Sequence, residues 1–180
     1  PNYGYTPFAS VSEHCRENSI TCIAPTKAFN LAGLQTAAVC IPNPVLRHKV
    51  WRALNTDEVA EPNAFSVDAT IAAFTKGHAW LDALREYLHQ NKQMVSAFIT
   101  EHLPEIQVIP SQATYLLWLD CTALPGTAQQ LADFIRKTTG LYVSEGSQYG
   151  KTGVHFLRMN VACSRNTLED AMQRLNDGIK

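Results

Sequence analysis

The sequence predicts an α/β fold in three parts: the tail of a sheet-containing domain, one long connecting helix and a small α+β domain. Three observations predict it. A short β-branched run, Ile20-Thr21-Cys22-Ile23-Ala24, breaks at Pro25-Thr26-Lys27 and gives way to small apolar residues. From Trp80 to Leu103, apolar residues recur every three or four positions. Beyond Pro104, short strand-like runs alternate with capped helical ones. The expected division is residues 1–79, 80–103 and 104–180.

The run Ile20–Ala24 is apolar without alternation, which suits a strand buried on both faces. Asn30 to Cys40, closed by Pro42 and Pro44, reads as a buried helix or turn. Strand, polar turn and apolar segment together are the parts of an α/β layer. A helix is expected around Leu46 to Leu54 and another from Ser66 to Lys76, stopped by Gly77. The periodic stretch carries Trp80, Leu81, Leu84, Tyr87, Leu88, Met94, Val95, Phe98, Ile99 and Leu103, one face of a single helix. At 1.5 Å per residue it is roughly 37 Å long, enough to link two domains. Ile106–Ile109, Thr114–Asp120, Leu141–Ser144 and His155–Ala162 read as strands. Thr127 and Gln130 have capping-box spacing ahead of Leu131, Phe134 and Ile135, and Gly140 stands where a C-cap glycine belongs. Asn166 is the expected cap of a last helix built on Leu168, Met172 and Leu175.

Composition narrows the function classes. The 180 residues are 46% hydrophobic with a formal net charge of −1, so there is core material and no basic footprint for nucleic acid. No apolar run nears the ~20 residues that span a bilayer, and no signal segment opens the chain, so a cytoplasmic protein is expected. The opening Pro1-Asn2-Tyr3 lacks Met, reads as loop and leads quickly to a strand, as in a piece of something longer. The five cysteines are scattered singly and read as small buried hydrophobes in a reducing compartment. The six histidines are dispersed as well, so no metal site is expected.

Two side chains are candidates for chemistry. Lys27 follows a strand too apolar to be exposed, so its amine is expected beside a low-dielectric interior, where burial favours the neutral form that Schiff-base chemistry uses. The plainer alternative is a lysine snorkelling to solvent from a strand end. Arg158 shares a strand face with Phe156, Asn160 and Ala162. A guanidinium fork on such a face suits bidentate capture of a carboxylate, or else a structural ion pair. Ahead of it, Gly146-Ser147-Gln148-Tyr149-Gly150-Lys151-Thr152-Gly153 has three glycines in eight residues. It lacks the spacing of a phosphate loop and leads into a strand rather than a helix.

The run Ala24-Pro25-Thr26-Lys27-Ala28-Phe29-Asn30-Leu31-Ala32-Gly33-Leu34 resembles the signature around the Schiff-base lysine of fold-type I pyridoxal-phosphate enzymes. Gly146-x-x-Tyr149-Gly150-x-x-Gly153 followed by Phe156-Leu157-Arg158-Met159-Asn160 resembles that family's loop and carboxylate-binding arginine. Asn63-Ala64-Phe65-Ser66 and Trp80-Leu81-Asp82-Ala83-Leu84 fall between them in the family's order. Within the superfamily, Tyr5-Thr6-Pro7-Phe8-Ala9-Ser10 and Ile20–Pro25 resemble the MalY/PatB type, the cystathionine β-lyases or C–S lyases. Aminotransferases of the superfamily tend to carry a phosphate-binding arginine eight residues after the lysine; Gln35 stands there. Ala24 replaces the hydroxyl expected three residues before it, and Thr26 either supplies a hydroxyl instead or caps a helix.

The resemblance implies the C-terminal part of a fold-type I pyridoxal-phosphate-dependent enzyme: a remnant of the large-domain sheet, the linking helix and the small domain. The family's aspartate facing the pyridine nitrogen, its stacking aromatic and its glycine-rich phosphate turn precede the lysine and lie outside this sequence. It implies pyridoxal 5'-phosphate as cofactor, with Lys27 catalytic and cofactor-binding, Thr26 cofactor-binding and Arg158 substrate-binding. The implied activity is β-elimination of cysteine S-conjugates to pyruvate, ammonia and a thiol, by a homodimer acting on an amino-acid substrate. An aminotransferase is the first alternative, and a non-catalytic fragment or regulatory partner the second. The chain by itself is expected to be inactive.

Overall fold

The structure, a computed structural model, describes residues 4–180; the opening Pro1-Asn2-Tyr3 lies outside the described residues. The chain forms two compact units, one ending at Ala83 and the other spanning Leu84–Lys180.

In the first unit, helix α1 (Glu13–Glu17) starts at Ser12, whose hydroxyl accepts from the Cys15 N–H at 3.1 Å. Strand β1 (Thr21–Ile23) pairs antiparallel with β2 (Ala38–Cys40) in the register Thr21↔Cys40, Cys22↔Val39, Ile23↔Ala38. Two expectations fail here. The β1 region is not buried: Ile20 and Ile23 are exposed, because a two-stranded ladder of three pairs has too few neighbours to cover either face. Asn30–Cys40 is not one buried helix or turn. A single 3-10 turn, Ala32–Leu34, ends at Gln35 in the left-handed conformation (φ 48°, ψ 49°), and the chain turns back as a strand. Helix α2 (Pro44–Thr56) has Pro44 in its first turn, and the Asn43 side chain accepts from the N–H groups of Val45 and Leu46. Helix α3 (Ser66–Lys76) ends at Gly77 as the sequence indicates.

Helix α4 (His78–His102) follows, with the boundary between the units inside it. It is the long helix expected over 80–103. The second unit then builds a four-stranded antiparallel sheet from β3 (Gln107–Val108), β4 (Leu116–Asp120), β5 (Ser144–Glu145) and β6 (Phe156–Asn160), in the order β3-β4-β6-β5. Between β4 and β5 lies α5 (Ala128–Thr139), and α6 (Arg165–Ile179) closes the chain. The capping box at α5 forms in full: Thr127 Oγ1 accepts from the Gln130 N–H at 3.3 Å, and Gln130 Oε1 accepts from the Thr127 N–H at 2.9 Å. Gly140 ends the helix at φ 75°. The cap of α6 is Ser164, not Asn166: its hydroxyl accepts from the Thr167 N–H, and Asn166 is already inside the first turn. The fifth strand begins at Ser144 rather than Leu141, since only Ser144 and Glu145 pair with β6.

Burial is uneven. Among the described residues every buried apolar side chain except Pro25 and Ile41 lies in the second unit. There Leu117, Leu119, Leu157 and Met159 of the sheet join Val95 and Ile99 of α4, Ile135 of α5 and Leu168, Met172 and Leu175 of α6 in one core. The first unit instead exposes Phe8, Trp51, Ile71 and Phe74, an unusual load for a surface facing only water. The cysteines follow the same division. Cys121 is buried, with its thiol pushed up to about 12 by burial and by the neighbouring Asp120 charge. Cys22 and Cys40 are exposed, contrary to the expectation of five buried thiols, because they sit on the thin β1–β2 ladder.

One polar side chain sits in this apolar core. Asn91 of α4 is fully buried, and its Nδ2 donates to the carbonyls of Val161 at 2.8 Å and Cys163 at 3.2 Å. These are the residues that carry the chain out of β6 toward α6, so the amide fixes the exit of the strand. Asn91→Ala leaves those carbonyls without their donor and is expected to destabilise the second unit by about 1–3 kcal/mol. Urea unfolding followed by circular dichroism measures this; an unchanged midpoint would remove Asn91 from the account of the core.

Candidate functional site

Lys27 stands on the turn that follows β1. The turn is closed by two backbone bonds, from the Phe29 N–H to the Pro25 carbonyl at 2.9 Å and from the Leu31 N–H to the Thr26 carbonyl at 3.1 Å, with Asn30 left-handed at φ 54°. No α-helix starts here, so Thr26 is not a helix cap; its carbonyl helps close the turn. The Lys27 side chain is exposed, which corrects the expected low-dielectric setting: β1 makes no buried interior for it. Its amine has no hydrogen bond or ion pair among the described residues.

The turn is anchored by the residue two positions on. The Phe29 ring stacks on Trp80 at 6.1 Å and meets Phe74 edge-on at 5.6 Å. A Cβ on Gly77 would lie 2.6 Å from Phe29 Cε1 and 2.5 Å from the Ala73 carbonyl oxygen, so the missing side chain is what admits the ring. A second tie comes from Asn63. Its amide donates to the Leu34 carbonyl, and its Oδ1 accepts from the Phe65 N–H at 3.0 Å. The Lys27 segment is thereby joined to the start of α3.

Arg158 lies in the second unit, on the β6 face opposite the core. It pairs in register with Trp118 of β4, and Phe156 precedes it on the same face. Its guanidinium lies over the Tyr149 ring, 4.3 Å from the centroid. No carboxylate pairs with it among the described residues, so the ion-pair alternative has no partner there and the donor edges of the fork are unspent. Tyr149 meets Trp118 edge-on at 5.7 Å, and Trp118 meets Phe156 edge-on at 5.9 Å.

The glycine-rich loop holds this aromatic group in place. Glu145 accepts from the Ser147 N–H at 2.8 Å and the Ser147 hydroxyl at 2.5 Å, and the hydroxyl bond chiefly holds the Glu145 carboxyl below its ordinary range. Gly150 sits at φ 139°, ψ 157°, a conformation open to glycine alone. Gly146 and Gly153 touch backbone to backbone: a Cβ on Gly153 would fall 2.2 Å from the Gly146 carbonyl oxygen, and one on Gly146 would fall 2.9 Å from Trp118 Cζ3. Ile109, Trp118, Tyr149 and Phe156 stand around this glycine pair and line an open pocket of about 390 Å³. Sequence reasoning singled out Arg158 and the loop but gave no role to Tyr149 or Trp118. The signal available was period-two alternation: Trp118 falls between the buried residues of β4, and Phe156 stands one position before the first buried residue of β6.

These are the features of a known class. The chain belongs to the aminotransferase class I and II family, whose pattern matches residues 6–175. It is 38% identical over 175 residues to the cystathionine beta-lyase PatB of Bacillus subtilis, covering 96% of this chain and 45% of that protein. It is 30% identical over 179 residues to the protein MalY of Escherichia coli, covering 99% of this chain and 46% of MalY. Cystalysin from Treponema denticola, whose crystal structure contains a pyridoxal 5'-phosphate cofactor, superposes with a TM-score of 0.94 at 27% identity, over 99% of this chain and 45% of that one. The chain thus spans about half the length of the relatives it matches, and its architecture is that of the C-terminal part of a fold-type I pyridoxal-phosphate enzyme.

Because Phe29 is pinned between two aromatic rings, it cannot swing away to admit a methyl group at position 77, and the Ala73 carbonyl is backbone. Gly77→Ala is expected to destabilise the first unit by about 1–3 kcal/mol, the usual cost of overpacking. It is also expected to raise the hydrogen-exchange rate of the Phe29 and Leu31 amides. Unaltered exchange at both amides would show that the aromatic anchor does not hold the Lys27 turn.

Proposed function

We propose that the full product of this gene is a pyridoxal-phosphate-dependent C–S β-lyase of the cystathionine β-lyase type. It would cleave cysteine S-conjugates to pyruvate, ammonia and a thiol. The observation that carries this reading is the 38% identity to PatB across 96% of the chain, a stretch that includes both Lys27 and Arg158. Lys27 is the residue that binds the cofactor, and the Thr26 hydroxyl lies next to it in sequence to support it. The donor set fits such a group: an exposed primary amine without a competing partner, on a turn held by backbone bonds and the Phe29 anchor, suits condensation with an aldehyde. When bound, pyridoxal phosphate supplies the electron sink for the carbanion left by loss of the Cα proton.

The chain's own residues supply the rest. The Lys27 Nζ would accept the Cα proton of the substrate. Arg158 holds the α-carboxylate with both donors of its fork and so supplies position rather than chemistry. Breaking Cβ–S then expels a thiolate, and water completes the release of pyruvate and ammonia. An aminotransferase would use the same lysine and arginine. Gln35, at the position where aminotransferases of the superfamily tend to carry an arginine, favours the lyase, and pyruvate formed from cystathionine without an added oxo acid distinguishes the two. Exposed Phe8, Trp51 and Phe74 support a homodimer covering the first unit. No helix among the described residues is long and apolar enough to cross a membrane, which is compatible with the cytoplasmic location proposed. The 180-residue chain on its own is expected to be inactive.

Two tests address the assignments in the full gene product. Borohydride reduction should fix the cofactor covalently on the peptide containing Lys27, and Lys27→Ala should lower β-elimination by about a thousandfold or more, since anchor and base vanish together. A variant with a sizeable share of wild-type turnover would exclude Lys27. Arg158→Lys keeps the charge and loses the fork. It should cost about 2–4 kcal/mol in kcat/KM for amino acids while leaving cofactor content unchanged. Unaltered kcat/KM in that variant would remove the carboxylate role.

A further inference from the structure

The pocket beside Arg158 is apolar where the proposed substrate is polar. Its lining carries no charged side chain; beyond the aromatic rings, Ile109 and the glycine pair, it includes only Thr152. At about 390 Å³ it falls within the range of small-ligand sites. One cation borders it. Arg158 stands across from Trp118 in the β4–β6 register, and its guanidinium rests on Tyr149, so a carboxylate on the fork is within one side chain's length of the pocket mouth. A ligand that satisfies both parts has a carboxylate at one end and an uncharged, apolar group a few bonds away.

We propose that the pocket formed by Trp118, Tyr149 and Phe156 is the specificity pocket of this site, and that it selects amino acids whose sulfur carries an apolar alkyl or aryl group. The inference rests on the reading of Arg158 as the carboxylate anchor. Edge-on rings at 5.7 and 5.9 Å give the walls a fixed shape with ring faces and edges for an aromatic or aliphatic guest. Cystathionine is the poorer fit. Its distal end carries a second ammonium and a second carboxylate, and the pocket has no counter-charge to replace their water. S-benzylcysteine, with the same Cα centre and an apolar distal group, meets no such penalty.

The test uses the cofactor-loaded full gene product and two acids that lack an amine and so cannot react: 3-phenylpropionate and propionate. Isothermal titration should show 3-phenylpropionate binding more tightly by about tenfold or more, as expected for a phenyl group entering an apolar pocket. Thr152→Trp, at an exposed position on the pocket wall, should fill the space and bring the two affinities to within about threefold of each other. Trp118→Ala should shrink the ratio as well, while Arg158→Lys should weaken both acids alike. In turnover, kcat/KM for S-benzylcysteine should exceed that for cystathionine by about tenfold, and Thr152→Trp should erase the difference. Equal affinity for the two acids, or a ratio untouched by Thr152→Trp, overturns the pocket and leaves the Arg158 anchor standing. Binding of neither acid overturns both.

Discussion

The pairing of β4 with β6 fixes what both faces of the small sheet can do. In the register Leu117↔Met159, Trp118↔Arg158, Leu119↔Leu157, one face carries four fully apolar core residues. The other carries Trp118, Phe156 and Arg158. Side chains alternate with a period of two, so a slip of β6 by one residue would send Arg158 into the core and Leu157 and Met159 to the outer face. Burying an unpaired guanidinium there would cost several kcal/mol, and the same displacement would forfeit the burial of Leu157 and Met159. The core therefore enforces the register, and the register places the arginine. Asn91 supports the arrangement from the helix side, since its amide captures the carbonyls just beyond the end of β6.

The first unit reaches a defined geometry by different means. It has almost no core, yet the Lys27 turn is held by two backbone bonds, by Asn63 reaching the Leu34 carbonyl, and by Phe29 wedged between Phe74 and Trp80 over Gly77. Each tie is a local contact with a specific partner, so the turn can be shaped without deep burial. The amine at its tip stays in solvent while the residues on either side are fixed.

Much of this was legible in the sequence because it is local. The Thr127/Gln130 box, Gly140 and the stop at Gly77 each depend on residues within one turn of helix, and the apolar stripe from Trp80 to Leu103 repeats often enough to define α4. The errors share a cause: they concern what a segment meets elsewhere. Ile20–Ala24 has the composition of a central strand, but burial depends on how many strands and layers cover it, and among the described residues β2 alone pairs with it. Ser164 and Asn166 are both good caps, and only the backbone's extended conformation at Ser164 decides between them. The site was legible in part. Arg158 and the glycine loop carry recognisable spacing, whereas Tyr149 gains its role only when the loop folds its ring beneath a guanidinium nine residues further on.

Charge sharpens the contrast between paired and unpaired cations. The chain has 15 basic and 16 acidic side chains, so acceptors are not scarce. Several cations take them from their own helix: Arg16 pairs with Glu13 at 2.6 Å, and Arg174 with Asp170 at 2.7 Å. Such exposed pairs contribute little to stability, about 0–1 kcal/mol each, and need only a carboxylate three or four residues away. Lys27 and Arg158 have none among the described residues. The turn around Lys27 contains no acidic residue from Ile20 to Gln35, and the face around Arg158 presents aromatic rings rather than carboxylates. Tyr149 orients the guanidinium through its ring face, which attracts the cation but leaves every N–H edge available. An aromatic partner thus preorganises the fork where a carboxylate partner would have occupied it. The same rings that surround Arg158 also make the adjoining pocket apolar.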